Sequence, residues 1–521
     1  MKYLKSIILI SLAILLLGSC EDYLKQETFS DLTTANFYQK ESDAIAGIYA
    51  AYAQLNGAMG ARYHFMIELT GDGVTTKRPN NHRRGEMDIH DFGTDNQIVR
   101  DVYIRTYEPI LNANSVLDNT DNIIDISESA RAMIKGEARF VRSLSYFNLV
   151  RIYQHVPLVT SAKLDVNELN VAKTNADEIY DFLIQDLTQA ATDMPVQAPE
   201  FGRASKGAAQ ALLAKVYLTR AKSGFSPNPA DDYSSAATLL SEVINSGVYD
   251  LNPDLRNLYG LEDWPSGETD NEWIFTIQAM SDGAPNNDVS YHAAPPDLPL
   301  PNGWHNYHGE APFYLEYDSV DARREVFYIT EYILPTGDTL IFDINDMAGD
   351  DWDKDGPVLS RYVDIFDNGG GVGRDIQVLK YSDVLLLYAE AILERDGAPN
   401  AEAINMVNMV RRRAHDYDPS ATSPYDLPAS MSYDDFRKEL YMERRKELLF
   451  EGHAFMDGLR FWDLFKEAVE ASSRYVFPGQ DNLINAVPKA EINLTDRSKV
   501  FPIPGEALVT NPLLTQHELW D

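Results

Sequence analysis

One cysteine, Cys20, stands in a chain of 521 residues. That excludes an intrachain disulfide and any cysteine-built metal site, so the fold must rest on its core. Basic residues are also scarce: Lys and Arg number 45 against 80 Asp and Glu, a net charge of −35. Such a field repels polyanions and argues against any nucleic-acid function. Beyond residue 17 no apolar run approaches the length of about 18 residues that a membrane-spanning helix needs. There is no His-Glu-x-x-His, no Gly-x-Ser-x-Gly and no Walker loop. The glycine-rich "NGGGVGRD" at 368–375 lacks the Lys-Ser/Thr of a phosphate loop and reads as a turn before a helix. Carboxylate pairs of the glycosidase kind could be drawn almost anywhere among 80 acidic residues, so none carries weight without geometry.

The single cysteine sits in "AILLLGSCEDYL". Lys2 and Lys5 precede an apolar run at 7–17, the length of a signal-peptide core and too short to span a bilayer. Leu17, Gly18, Ser19 and Cys20 then match a lipobox, where cleavage leaves a lipid-modified cysteine as the first mature residue. The competing reading is an ordinary secretory signal with a chance cysteine. Under the lipobox reading, residues 1–19 are the signal peptide, Cys20 carries the lipid, and the mature chain is tethered to a membrane without crossing it.

The body of the chain is helical in pattern. Ser42 is the expected N-cap of "SDAIAGIYAAYAQLNG", and Pro109 is expected to kink or divide a helix over 97–117. The longest periodic run is "SESARAMIKGEARFVRSLSYFNLVRIY" at 127–153. Helices then come in pairs, opened by Asn175 with Glu178, by Ser205 and by Ser432 with Asp435. A tight hairpin turns around Gly397 and Pro399. Paired helices of this size predict a mainly α fold, a scaffold of about four tetratricopeptide-like helix hairpins. The scaffold divides into an N-terminal helical part (20–251), a loop-rich insertion with short strands (252–374) and a C-terminal helical part (375–521), read together as one domain.

Several stretches together resemble the SusD/RagB family of outer-membrane nutrient-binding lipoproteins. They are "CEDYL", "GEARFVRSLSYFNLVRIYQHVPLVT", "GRASKGAAQALLAKVYL", "LKYSDVLLLYAEAILE", "INMVNMVRRRA", "ERRKELLFEGHAFMDGLRFW" and "VFPIPGEALVTNPLLTQ". Each alone is weak, and their order along nearly the whole chain makes the match specific. The resemblance implies a non-catalytic glycan-binding lipoprotein on the outer face of the outer membrane. It implies partnership with a SusC-like TonB-dependent transporter, to which captured oligosaccharide or polysaccharide is delivered. It also implies that variable loops, not the shared motifs, build the sugar site. The alternatives are a tetratricopeptide-type protein-interaction scaffold and a surface glycoside hydrolase.

Sugar rings stack on aromatic planes, and their hydroxyls need polar partners. The richest mixture is "SYHAAPPDLPLPNGWHNYHGE" at 290–310. Tyr291, Trp304 and Tyr307 are its candidate platforms, with His292, Asn302, His305, Asn306 and His308 as polar groups. Packing of Trp304 into a groove is the competing reading. Trp264 and Trp352 are further candidates. A second stretch, "GDGVTTKRPNNHRRGEMD" at 71–88, concentrates basic residues in an acidic chain. Arg78, Asn80, Asn81, His82 and Arg83 are its candidate ligand contacts, or else a solvated or salt-bridged turn. In the resembled family, loops of these two regions face one another across the site. No cofactor is expected, apart from a candidate structural calcium at Asp351, Asp353 and Asp355. These reproduce the first half of an EF-hand loop, but Tyr362 stands where the bidentate Glu would be, and an acidic turn is the competing reading.

Overall fold

The computed structural model describes residues 37–76, 82–163, 169–261, 267, 269–280, 287–298, 303–344, 356–364, 372–473 and 494–521. Helix α1 (Glu41–Met59) is followed by α2 (Ala61–Glu68), strand β1 (Val74–Thr76) and the short α3 (His82–Asp88). Long helices then dominate: α4 (Gln97–Thr120), α5 (Glu128–Tyr153), α6 (Ala176–Asp193), α7 (Lys206–Lys222) and α8 (Pro229–Ile244). Each packs on the next: α1 on α4, α4 on α5, and so on through α7 on α8. No single helix pair buries its own apolar face, so the pairs stack.

The caps show where local sequence sufficed. Ser127 accepts from the Ala130 N–H at the start of α5 (3.2 Å), and Ser205 from Ala208 at the start of α7 (3.2 Å). The cap expected at Ser42 fails. Helix α1 starts at Glu41 with Lys40 as N-cap, so Ser42 lies inside the first turn; the Asp43 carboxylate accepts from the Gln39 and Lys40 N–H groups (both 3.0 Å) and fixes the chain entering the helix. Asn175 is the N-cap of α6 and pairs with Glu178 as expected, its amide donating to the Glu178 carboxylate at 3.2 Å while its side chain accepts no first-turn N–H. Pro109 neither ends nor divides α4, which runs through it. One lost backbone hydrogen bond is tolerated because α4 is held by α1 and α5.

The insertion then leaves the stack. Strand β2 (Trp273–Ile277), α9 (Asp288–Ala293) and β3 (Tyr307–Gly309) come first. Next are α10 (Ala311–Leu315), α11 (Arg323–Val326), β4 (Tyr328–Ile329), β5 (Glu331–Ile333), β6 (Thr339–Ile341), β7 (Val358–Leu359) and β8 (Ile376–Lys380). Among the described residues the named strands pair antiparallel in two-stranded units: β1 with β3, β2 with β8, β4 with β7, β5 with β6. The scaffold resumes with α12 (Tyr381–Asp396), α13 (Ala401–Ala414) and α14 (Tyr433–Glu447). Helix α8 packs directly on α12, so the stack closes beneath the insertion as if it were absent. The fold is mainly α, and among the described residues four hairpins form the tetratricopeptide-like stack: α1/α4, α5/α6, α7/α8 and α12/α13.

Buried ion pairs fasten the insertion to this stack. Arg413, wholly buried, bonds Glu272 and Glu447, both at 2.6 Å. Arg323 reaches Asp321 (2.8 Å), Glu443 (2.6 Å) and Glu447 (3.3 Å). Lys380 meets Glu447 (3.2 Å) and Glu451 (3.0 Å), and Arg361 also pairs with Glu451. Burial by itself would raise the Glu447 carboxyl; Arg413, Lys380, Arg323 and Arg361 around it hold it well below the usual carboxylate range. Residues 272 and 323 of the insertion are thereby tied to α13 and α14, and residue 361 to Glu451 just beyond α14.

Candidate functional site

The register of one small sheet brings two distant parts of the chain together. Thr76 at the end of β1 lies opposite Tyr307 at the start of β3. The chain therefore leaves β1 at the edge where residues 303–306 arrive. Helix α3 follows, and the Arg84 guanidinium donates to the Asn306 side-chain oxygen (2.9 Å) while lying 4.6 Å over the Phe65 ring. The other end of the Asn306 amide donates to His292 Nδ1 (2.7 Å). Nδ1 must then be unprotonated, which assigns the proton to Nε2. Burial, with Arg84 and Arg62 adding to it, pushes His292 down to about 3, so it is neutral at any physiological pH.

Trp304 stands on this base. Its N–H donates to the Tyr291 carbonyl (2.7 Å), His305 N–H to Ala294 (2.9 Å) and Asn306 N–H to His292 (2.6 Å). These bonds lay 304–306 against α9. A Cβ at Gly303 would sit 2.7 Å from the carbonyls of Ala294 and Pro295, so the approach requires glycine. His305 takes φ +42, a left-handed turn uncommon for a residue with a side chain. The Trp304 ring lies 5.8 Å from Tyr291 and 4.8 Å, edge to face, from His292, yet stays 53% exposed. A large aromatic so pinned and so exposed presents a flat apolar face at little entropic cost.

The other candidates divide. Tyr307, expected as a platform, is a core residue: its ring stacks on Phe65 at 4.4 Å and its hydroxyl donates to the Ala61 carbonyl (2.8 Å). His305 is also buried and stacks on His308 at 3.9 Å between centroids, which withdraws it from a ligand. Tyr291 is half-buried beside Trp304, and Arg83 is exposed on α3, where it lines a polar pocket of about 350 Å³ with Glu86, Asn96 and Arg100. His82 opens α3, its side chain outside what is described. Arg78, Asn80, Asn81, Trp264, Asn302, Trp352 and the candidate calcium residues Asp351, Asp353 and Asp355 lie outside the described residues, as does Cys20. Among the described residues no cluster of three or more His, Cys, Asp or Glu could hold a metal ion, and no helix is long and apolar enough to cross a membrane. Sequence reasoning passed over Arg84 as a site residue. Its signal, one more arginine in a basic run, does not reveal that it turns inward onto Phe65 and Asn306.

A family model described as "SusD family" matches residues 340–520, and one described as "Starch-binding associating with outer membrane" matches 22–218. The chain belongs to the SusD/RagB family. SusD-like protein P2 of Formosa agariphila is 27% identical over 523 residues, covering 96% of both chains. SusD-like protein P25 of the same organism is 25% identical, covering 96% of this chain and 95% of its own. Among solved structures, a SusD homolog from Bacteroides thetaiotaomicron superposes with a TM-score of 0.78 at 24% identity, over 93% of this chain and 98% of that one. A laminarin binding SusD-like protein superposes with a TM-score of 0.71 at 22% identity, over 92% of this chain and 100% of that one. These last two likenesses establish the shared SusD-like fold.

Proposed function

We propose that this SusD-like protein is a non-catalytic, cell-surface glycan-binding lipoprotein. It is anchored in the outer membrane through lipid on Cys20, and it captures oligosaccharide or polysaccharide for a SusC-like TonB-dependent transporter. The observation that carries the glycan reading is Trp304, half exposed while its backbone is hydrogen-bonded to α9. Its face offers the apolar plane a sugar ring stacks on. Tyr291 stands beside it, and Arg84, Asn306 and His292 form the polar base beneath. The outer-membrane starch-binding description of the matched family model and the laminarin-binding relative of similar fold support a saccharide as ligand.

A glycan array, followed by titration of the best ligand into wild type and Trp304→Ala, tests this. Stacking that covers about 80 Å² of apolar surface is worth about 2 kcal/mol, or about 30-fold in Kd. Unchanged affinity in Trp304→Ala would show that the site lies elsewhere. Release of shortened product from any bound glycan would overturn the non-catalytic reading.

A further inference from the structure

A cleft of about 820 Å³ opens elsewhere on the insertion, and none of its lining residues belongs to the Trp304 site. It is built around a pair of adjacent arginines used in opposite ways. Arg323 points inward and is locked by Asp321, Glu443 and Glu447. Arg324 points the other way, into the cleft. Its guanidinium lies 4.5 Å over the Tyr314 ring, and among the described residues no carboxylate comes within ion-pairing distance of it. This half-buried guanidinium keeps its hydrogen-bond donors available, although Glu325 and Glu331 line the same cleft.

The walls are fixed. The Ala322 N–H donates to the Ala414 carbonyl (2.7 Å), which ties the floor to the end of α13. Arg256 is held in a fork by Asp416 (2.9 and 3.2 Å), a residue at φ +57. Apolar surface adjoins it. Val320 in the lining is 54% exposed, and beyond the lining residue Glu331 the same face of the β5–β6 hairpin carries exposed Ile333 (69%) and Ile341 (65%). A preformed cleft with an open guanidinium, exposed carboxylates and adjoining apolar surface suits a ligand rich in hydroxyls with apolar ring faces. Two arginines against four carboxylates in the lining disfavour a polyanion.

We infer that this cleft is a second carbohydrate subsite, for another stretch of the same neutral glycan chain that binds at Trp304. The inference rests on the glycan-binding reading above. Two subsites on one polymer raise avidity without tight binding at either.

Hydrogen exchange on the folded protein tests it, with soluble starch, laminarin, xylan and galactomannan as neutral probes and alginate as the polyanion. The neutral polymer that slows exchange over 291–306 is expected to slow it over 314–331 as well. Arg324→Ala, which leaves the buried Arg323 network intact, is expected to remove only the second protection. It should weaken polymer binding by about tenfold or more and leave binding of that polymer's hexasaccharide at the Trp304 site unchanged. Protection over 291–306 alone overturns the second subsite while leaving the proposed function. Protection over 314–331 alone overturns the Trp304 site and upholds the cleft as a carbohydrate site, but not as a second one. Binding of alginate only, or of none of the polymers, overturns the inference.

Discussion

Arg413→Met removes the cation between two buried carboxylates, Glu272 and Glu447, each 2.6 Å from its guanidinium. Methionine fills similar volume, so little cavity forms and the loss is electrostatic. Breaking a buried pair from one side costs about 3–5 kcal/mol, because the partner charge stays buried and uncompensated. Unfolding entropy of about 2.1 cal/mol/K per residue gives about 1 kcal/mol/K for a chain of this size, so Tm should fall by about 3–5 °C. The loss should depend on pH. Burial already raises the Glu272 carboxyl, with Arg413 as the main opposing charge. Without Arg413 its folded pKa rises further above the unfolded value. The folded variant then holds more protons than the unfolded chain, and its stability falls as pH rises, by up to about 1.4 kcal/mol per pH unit. The Tm gap between wild type and variant should therefore be small at pH 5.5 and widest at pH 8. Differential scanning calorimetry at both values decides it. An equal gap at the two pH values, or none, would refute the account of this network as compensated buried charge.

Trp304→Ala and Tyr307→Ala should behave as opposites. The first is expected to cost under about 1 kcal/mol in stability while weakening glycan binding, and the second to cost about 3–5 kcal/mol as a core truncation, both read by denaturant titration. Glu68, buried and bonded by the Gly452 and His453 N–H groups, is pushed up to about 7 by its burial. Its folded pKa exceeds its unfolded one, so wild type should lose stability as pH rises from about 4.5 to 7, and Glu68→Gln should flatten that slope in urea titrations across the range. Cys20→Ala should leave the melting curve unchanged and move the protein from the membrane to the soluble fraction; acylated, membrane-bound variant would refute the lipobox reading.

How far the sequence was legible follows from the range of the interactions. Helix existence, the caps at Ser205 and Ser432, and the hairpin turn at Gly397 are decided within a few residues, and they stand as expected. Pro109 does not divide α4 because two neighbouring helices hold it together, a fact no local window contains. Four of the family motifs were readable because they lie on stack helices α5, α7, α12 and α13, where packing constrains residue type at every turn.

The sequence by itself determined the helical scaffold, the family and the two stretches from which a site could be made. Only the tertiary structure decided which side chains face outward. Trp304 and Tyr307 lie three positions apart with similar chemistry, yet β3 turns Tyr307 onto Phe65 through its pairing with β1, a partner far earlier in the chain. Arg323 and Arg324 are neighbours with identical side chains, and α14 supplies the carboxylates that bury one and leave the other open. Orientation of this kind depends on strand register and buried charge pairing between distant segments, which composition and periodicity do not encode.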